Sequence, residues 1–188
     1  MRLYYTVITE EEAIQSRPSY SLGGYKSQSK LVNGQIGNLF SDISNTTIST
    51  YNQNQYIGLV LRNELSIQAR NIKLWFVYPD KCYSKFRLAA VDMALDSKGV
   101  QFMENIQTLN EKPIAADFYE ADGELNKLNI GDLGIGEKVG IWVERELLLD
   151  FIKEDQMNIY TNDPAKQGRY IEVPLGKEDD IGIGISWD

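Results

Sequence analysis

A chain of 188 residues, 43% hydrophobic and with a formal net charge of −8, has the material for a sizeable core in one domain, or at most two. Its charge has the wrong sign for DNA or RNA as the main partner, and for an anionic membrane surface, because both are held by cationic contacts. It contains no histidine, which removes the commonest general base and metal ligand and excludes every catalytic triad that depends on one.

Leu3-Tyr4-Tyr5-Thr6-Val7-Ile8 opens the chain as a β-prone run, and Thr9-Glu10-Glu11-Glu12 has the composition of one helical turn. Met1–Glu12 lacks the apolar core of a signal peptide, and no later run approaches the roughly 20 apolar residues of a membrane span. Folding in a reducing cytoplasm is the expectation. Ser16–Thr50 is rich in Ser, Asn, Gln and Gly, with widely spaced apolar residues at Leu22, Tyr25, Ile36, Leu39, Phe40 and Ile43. Such a segment makes a poor core by itself. It reads either as an extended arm, residues 1–50, whose anchors Leu22, Tyr25, Leu39, Phe40 and Ile43 dock on a neighbouring subunit, or as a partly ordered extension.

From Tyr51 the texture changes, and residues 51–188 read as a β domain. Tyr56–Leu61 is continuously apolar, as a strand buried on both faces would be. Ile72–Tyr78 is strand-like and stops at Pro79-Asp80. Cys82 follows; as the only cysteine it excludes an intrachain disulfide, and without a histidine partner it reads as a strand-end residue despite its neighbour Lys81. Phe86–Val91 is a further strand, Asp96 and Gly99 mark a turn, and Ile114–Tyr119 reads as a strand after Pro113. Val139–Glu144 predicts a strand with Ile141 and Val143 on one face and Trp142 on the other. Leu147–Phe151 could form a helical turn, and Met157–Tyr160 with Tyr170–Val173 suggest a hairpin. Ile181–Trp187 alternates apolar with small residues and reads as the closing strand. The core is predicted to include Leu59, Leu61, Trp75, Val77, Ile141, Trp142 and Val143.

Gly131–Arg145 invites a phosphate-loop reading at Gly134-x-Gly136. That chemistry needs a strand before the glycines and a helix after them, so that helix N–H groups meet the anion. Here β-prone residues follow, and Gly131–Gly136 reads as a turn between two antiparallel strands. The carboxylate pairs Asp117/Glu120 and Asp122/Glu124 have the residue types of a glycosidase, but they also fit a solvated acidic loop. Asp122-Gly123-Glu124 carries hard oxygens suited to calcium without the full EF-hand pattern. Tyr51, Tyr56, Trp75, Tyr78, Trp142 and Trp187 are the residues from which a sugar platform could be built, though strand aromatics more often serve a core. No cofactor, metal or catalytic residue is predicted.

Short strands separated by turns, with no long amphipathic helix, predict an all-β sandwich. With those segments placed, the chain resembles an Ig-like virion protein family of tailed bacteriophages, including crAss-like phages of gut Bacteroidota. The likeness rests on four stretches in order: Ser21-Leu22-Gly23-Gly24-Tyr25, Asn38-Leu39-Phe40-Ser41-Asp42-Ile43, Tyr56–Asn63, and Gly131–Glu137 leading into Gly140–Arg145. It covers about Ser21–Arg145. It implies an Ig-like antiparallel β-sandwich and a structural, non-enzymatic component of the virion, assembled in the host cytoplasm, whose partners are copies of itself and other virion proteins. A long arm and residues 147–180, inserted at one end before the last strand, provide two contact regions. They place the protein in a tail or head–tail connector ahead of a capsid-decoration or head-fibre position. On the arm reading, deleting Met1–Thr50 leaves a folded monomer that no longer assembles. A carbohydrate-binding adhesin module is the alternative of another class, and a carboxylate glycosidase is the third.

Overall fold

The computed structural model describes residues 1–15, 17–31, 39–40, 54–77, 84–147 and 181–188. Among them the strands are β1 (Arg2–Val7), β2 (Gly24–Lys30), β3 (Gln55–Arg62), β4 (Ala69–Val77), β5 (Ser84–Val91), β6 (Ala94–Leu95), β7 (Gln101–Met103), β8 (Leu128–Leu133), β9 (Lys138–Leu147) and β10 (Gly182–Ser186). A seven-stranded sheet runs β5-β9-β3-β1-β2-β7-β6, and a three-stranded sheet runs β10-β4-β8. Every pairing is antiparallel. The helical content of the described residues is one 3-10 turn at Pro18–Tyr20. The fold is all-β and sandwich-like, as expected.

Side-chain alternation builds the core from both sheets. Leu3, Tyr5, Ile57, Leu59, Leu61, Leu88, Ile141 and Val143 of the larger sheet meet Ala69, Ile72, Leu74, Phe76, Leu133 and Ile183 of the smaller one. The outer face of the larger sheet is also covered. Tyr56, Val60, Ala89, Val91 and Trp142 lie there under Met103, Ile106 and Ala116, with Leu22 and Phe118 packed alongside. The covering segments are tied down by backbone bonds, Ile106 N–H to Leu22 O at 3.0 Å and Tyr119 N–H to Leu88 O at 2.7 Å. The continuous apolar run in β3 follows from this double cover, since neither face meets water. The alternation predicted in β9 holds, with Ile141 and Val143 in the inter-sheet core and Trp142 in the outer cluster. Burying an indole that removes roughly 200 Å² of apolar surface contributes about 5 kcal/mol.

The arm expectation is overturned. β1 lies between β3 and β2 in the interior of the larger sheet, pairing Arg2–Tyr5 with Leu59–Arg62 on one side. Residues 51–188 are therefore not a self-contained sandwich, because β1 and β2 supply its middle. Thr9–Glu12 is not helical either. Glu12 sits at φ 65°, and its N–H bonds to Lys26 O of β2 at 2.8 Å.

Two core assignments also fail. Val77 is 54% exposed, and Trp75 is only partly buried. The run Leu74-Trp75-Phe76-Val77 is apolar throughout, which hides its period of two; Ile72, Leu74 and Phe76 point inward, and Trp75 and Val77 point out. No strand forms at Ile114–Tyr119 beyond a bridge from Tyr119 to Leu88, and Ile114 is 93% exposed. The glycine turn does not join paired strands. β8 runs through Gly131, and Gly134–Glu137 carries the chain from the smaller sheet to the larger, with Gly136 at φ 77°. A strand, β9, follows the glycines. The closing strand is confirmed as β10. Ile43, Tyr51, Tyr78, Cys82 and residues 148–180, with the predicted hairpin and all of the predicted helical turn except Leu147, lie outside the described residues; Leu147 is the last residue of β9.

Candidate interaction surface

The expected interface anchors are used internally. Leu39 and Phe40 are buried between the sheets, Phe40 against Phe86 with ring centroids 6.0 Å apart. Leu22 packs on the outer cluster. The Tyr25 ring lies against Phe102, and its hydroxyl donates to Asp96 at 3.0 Å. Leu39 and Phe40 are closed off from a neighbour, Leu22 and Tyr25 are half-buried against their own chain, and Ile43 is not among the described residues. The reason is topological: once β1 and β2 enter the sheet, the residues after them must cover it.

Two stretches of the resemblance meet at Gly58. The Ser21 hydroxyl donates to Gly58 O at 2.6 Å and accepts Thr6 N–H at 2.6 Å, while Gly58 N–H donates to Ser21 O at 2.7 Å. Gly23 N–H donates to the Thr6 hydroxyl at 3.1 Å. The approach is so close that a Cβ on Gly58 would stand 2.9 Å from Gly23 N. Glycine is required there by contact between backbones.

A second clip ties the end of β3 to the glycine turn. Asn63 is completely buried. Its Nδ2 donates to Ile67 O and Leu133 O at 2.9 Å and to Gly134 O at 3.0 Å, and its Oδ1 accepts Leu65 N–H at 2.9 Å. Its backbone pairs with Glu137 O and Gly136 N–H, each at 3.0 Å. One side chain thus holds three segments at the end where the chain changes sheets.

The charged groups were mislocated by sequence reading. Asp122 and Glu120 fix a turn: Asn126 Nδ2 donates to Asp122 Oδ1 at 2.7 Å and also to Glu120 O. Glu120 is paired with Lys85, and that bond holds its carboxyl below the usual range. Among the described residues the most enclosed carboxylate is one that its sequence context does not single out. Glu144, 4% exposed, takes Arg87 Nη1 at 2.9 Å on Oε2, and Asn54 Nδ2 at 2.8 Å and the Tyr56 hydroxyl at 3.1 Å on Oε1. Arg87 reaches Glu146 at 2.6 Å with its other nitrogen. Burial pulls the Arg87 guanidinium down, but its bonds to Glu144 and Glu146 outweigh this and leave it above its ordinary value. Both Glu144 oxygens are engaged from within, which suits a fixed cross-strand tie between β5 and β9 better than proton transfer to a substrate. Among the described residues no three of Asp, Glu and Cys gather as metal ligands.

The aromatic residues do not form one row. Tyr56 and Trp142 are covered on the larger sheet, Trp187 lies past the end of β10, and Trp75 is on the outer face of the smaller sheet. On that last face Val77 is exposed, and Lys73 and Trp75 are half-buried. Lys73, Trp75 and Val77 of β4 stand opposite Ser186, Gly184 and Gly182 of β10, and Asn129 of β8 is the neighbour of Lys73 on the other side. The Trp75 indole lies across β10, where a Cβ on Gly184 would be 2.3 Å from Cε2, and Lys127 Nζ stands 3.9 Å from the ring centroid. A sheet face with a half-buried tryptophan, bounded by the β10 and β8 edges, is the best-formed contact surface among the described residues. No family model, curated protein or solved structure matches this chain.

Proposed function

We propose that the protein is an Ig-like structural component of a tailed-phage virion, present in many copies in a tail or head–tail connector. The observation that carries this reading is what the resembling stretches do. Ser21, Gly23, Gly58, Asn63 and Gly134–Gly136 direct their polar groups and close approaches at one another, as a rigid scaffold requires. A buried polar network of this kind favours one geometry over alternatives. The contacts to neighbours are reassigned from the arm to the Trp75 face and the sheet edges. Capsid decoration or a head fibre is the alternative position.

An adhesin reading has one observation in its favour, the outward Trp75. Lys127 Nζ, 3.9 Å from the ring centroid, and Gly184, where a Cβ would fall within 2.7 Å of three indole atoms, occupy part of the surface a sugar would stack on, which favours the structural reading. The test is mass spectrometry of purified particles, followed by electron microscopy. Recovery in stoichiometric amount with density in a symmetric ring supports the proposal. Absence from particles that retain their tails overturns it, and specific binding on a glycan array would support the adhesin instead.

A further inference from the structure

Positive charge is concentrated at one end of the larger sheet. Arg2 of β1 stands opposite Arg62 of β3, and Arg62 stands opposite Lys138 of β9. On the other side of β1, Tyr4 is the ladder partner of Lys30 and Thr6 that of Lys26, both on β2. Tyr4 is also opposite Val60, which lies in the outer cluster, so period-two alternation puts all five cations on the outer face. Like charges facing each other across a ladder are destabilising. In a chain of net charge −8, their gathering on four neighbouring strands needs anions to hold it.

Tyr4 is the centre of the group. Lys26 Nζ lies 4.2 Å and Lys30 Nζ 5.4 Å from its ring centroid, and its hydroxyl donates to Glu64. Glu64 also stands 3.6 Å from Arg2 and 3.7 Å from Lys30. The other anions come from the loop after β1, with Glu12 on Lys26 and Glu11 on Lys138, each at 2.5 Å. Among the described residues, five cations therefore meet three carboxylates. Arg62, in the middle of its row, keeps a buried Nε that no acceptor reaches.

The two loop pairs are lopsided. The Lys26 and Lys138 side chains are 2% and 13% exposed, whereas those of Glu12 and Glu11 are 47% and 29% exposed. The cations are fixed by burial and are strongly destabilising without an anion beside them. The carboxylates sit at the surface, and another carboxylate can replace them. The loop has little apolar hold of its own, since Ile8 and Ile14 on either side are exposed. Its backbone bonds, Glu12 N–H to Lys26 O and Gln28 N–H to Ala13 O, do not involve the carboxylates. Both acidic side chains can swing out with the loop still in place.

We propose that Lys26, Arg62 and Lys138 form a binding site for an acidic segment of a partner protein, which Glu11 and Glu12 occupy until the partner arrives. The chemistry of the occupant is read from what is seated there, two carboxylates on consecutive residues of a polypeptide. The small local excess of positive charge suits a short run of Asp and Glu and falls short of the many phosphate contacts a nucleic acid makes. A further carboxylate from the partner gives Arg62 Nε the acceptor it lacks. The site goes beyond the virion reading and stands or falls independently of it.

Fluorescence anisotropy with fluorescein-labelled hexaglutamate tests it on the full chain, with circular dichroism to confirm folding. Glu11→Gln with Glu12→Gln removes the internal competitors, and hexaglutamate should bind this variant roughly tenfold more tightly than wild type, the scale set by two exposed ion pairs. The binding should weaken as salt rises. Adding Arg62→Met or Lys138→Met should abolish the gain, while Lys98→Met, in the turn between β6 and β7, should leave it. If the double variant does not fold, Glu11→Gln alone frees Lys138 and should give roughly a threefold gain. No gain in a folded variant, or a gain that survives Arg62→Met and Lys138→Met together, overturns the site. Tighter binding of a hexanucleotide than of hexaglutamate would assign it to nucleic acid, and self-association of the double variant in sedimentation would assign it to a second copy. Either result overturns the acidic partner.

Discussion

Asn63 offers the sharpest test of the scaffold. Its Nδ2 carries two hydrogens shared among Ile67 O, Leu133 O and Gly134 O, and its Oδ1 accepts from Leu65 N–H. Asn63→Ala removes about three hydrogen bonds, each worth about 1 kcal/mol net, and leaves buried carbonyls without a donor. A loss of about 3 kcal/mol is expected, equivalent to roughly 6–12 °C in a domain of this size. Asn63→Asp is the more informative change because the shape is nearly conserved. It keeps the acceptor for Leu65 N–H but turns an oxygen toward three carbonyl oxygens with no water to screen them. The buried carboxylate is destabilised, so its folded-state pKa rises above the unfolded value. The folded variant then binds more protons than the unfolded one near neutrality, and its stability falls as pH rises. Asn63→Asp should therefore melt well below wild type at pH 7 and recover part of the difference at pH 5, whereas Asn63→Ala shows no such recovery. Thermal and urea melts followed by circular dichroism across that range decide the matter. A melting point for Asn63→Asp within 2 °C of wild type at pH 7, on the size scaling used above, would refute the clip.

The other expectations follow from single contacts. Gly58→Ala forces a methyl group to within 2.9 Å of Gly23 N and should cost about 1–3 kcal/mol in a urea melt. Arg87→Met leaves Glu144 buried without its cation and should cost about 3 kcal/mol, with Glu144→Gln in the same chain restoring part of it. Tyr4 is pushed up to about 12 by burial and by its bond to Glu64, from an ordinary 10.0. The stabilisation is fully present below the unfolded value of 10.0 and is lost as pH climbs through about 12, so Tyr4→Phe should flatten the alkaline fall in melting temperature. Deleting Met1–Thr50 removes two interior strands, and the expected product is an unfolded or aggregated chain by circular dichroism; a folded monomer would restore the arm.

The parts of the fold visible in the sequence are those where burial is apolar. β3, β5 and β9 show themselves as apolar runs, and the alternation around Trp142 correctly separates two faces. β2 does not, because its burial is polar. Gly24-Tyr25-Lys26-Ser27-Gln28-Ser29-Lys30 has the composition of a linker, yet Lys26 is 1% exposed, with its ammonium paired to Glu12 and 4.2 Å from the Tyr4 ring centroid. Ser27 is buried too, and its hydroxyl donates to Ser29 O. Hydropathy periodicity cannot register a strand whose neighbours are an ion pair, an aromatic face and hydroxyls. β8 is hidden for another reason. Gly131 lies in it at φ 90°, and the pairing register shifts on either side of Ile72, so the even alternation that marks a strand is broken where a bulge bends it.

The same physics explains why Leu22, Tyr25, Leu39 and Phe40 look like interface anchors in the sequence and pack within their own chain in the fold. Apolar residues scattered through a polar segment have two uses, as anchors on another molecule or as cover for a sheet that is apolar on both faces. Composition does not separate them. The deciding quantity is how much of the larger sheet needs covering, and that follows from β1 and β2 being inside it. With the outer face already carrying Tyr56, Val60, Ala89, Val91 and Trp142, the loops that carry Leu22, Ile106, Ala116 and Phe118 are committed to that cover. Among the described residues, the sheet face without such an apolar cover is the outer side of β10-β4-β8, and the proposed contacts belong there. There the outward tryptophan and the two outward glycines stand on adjacent strands.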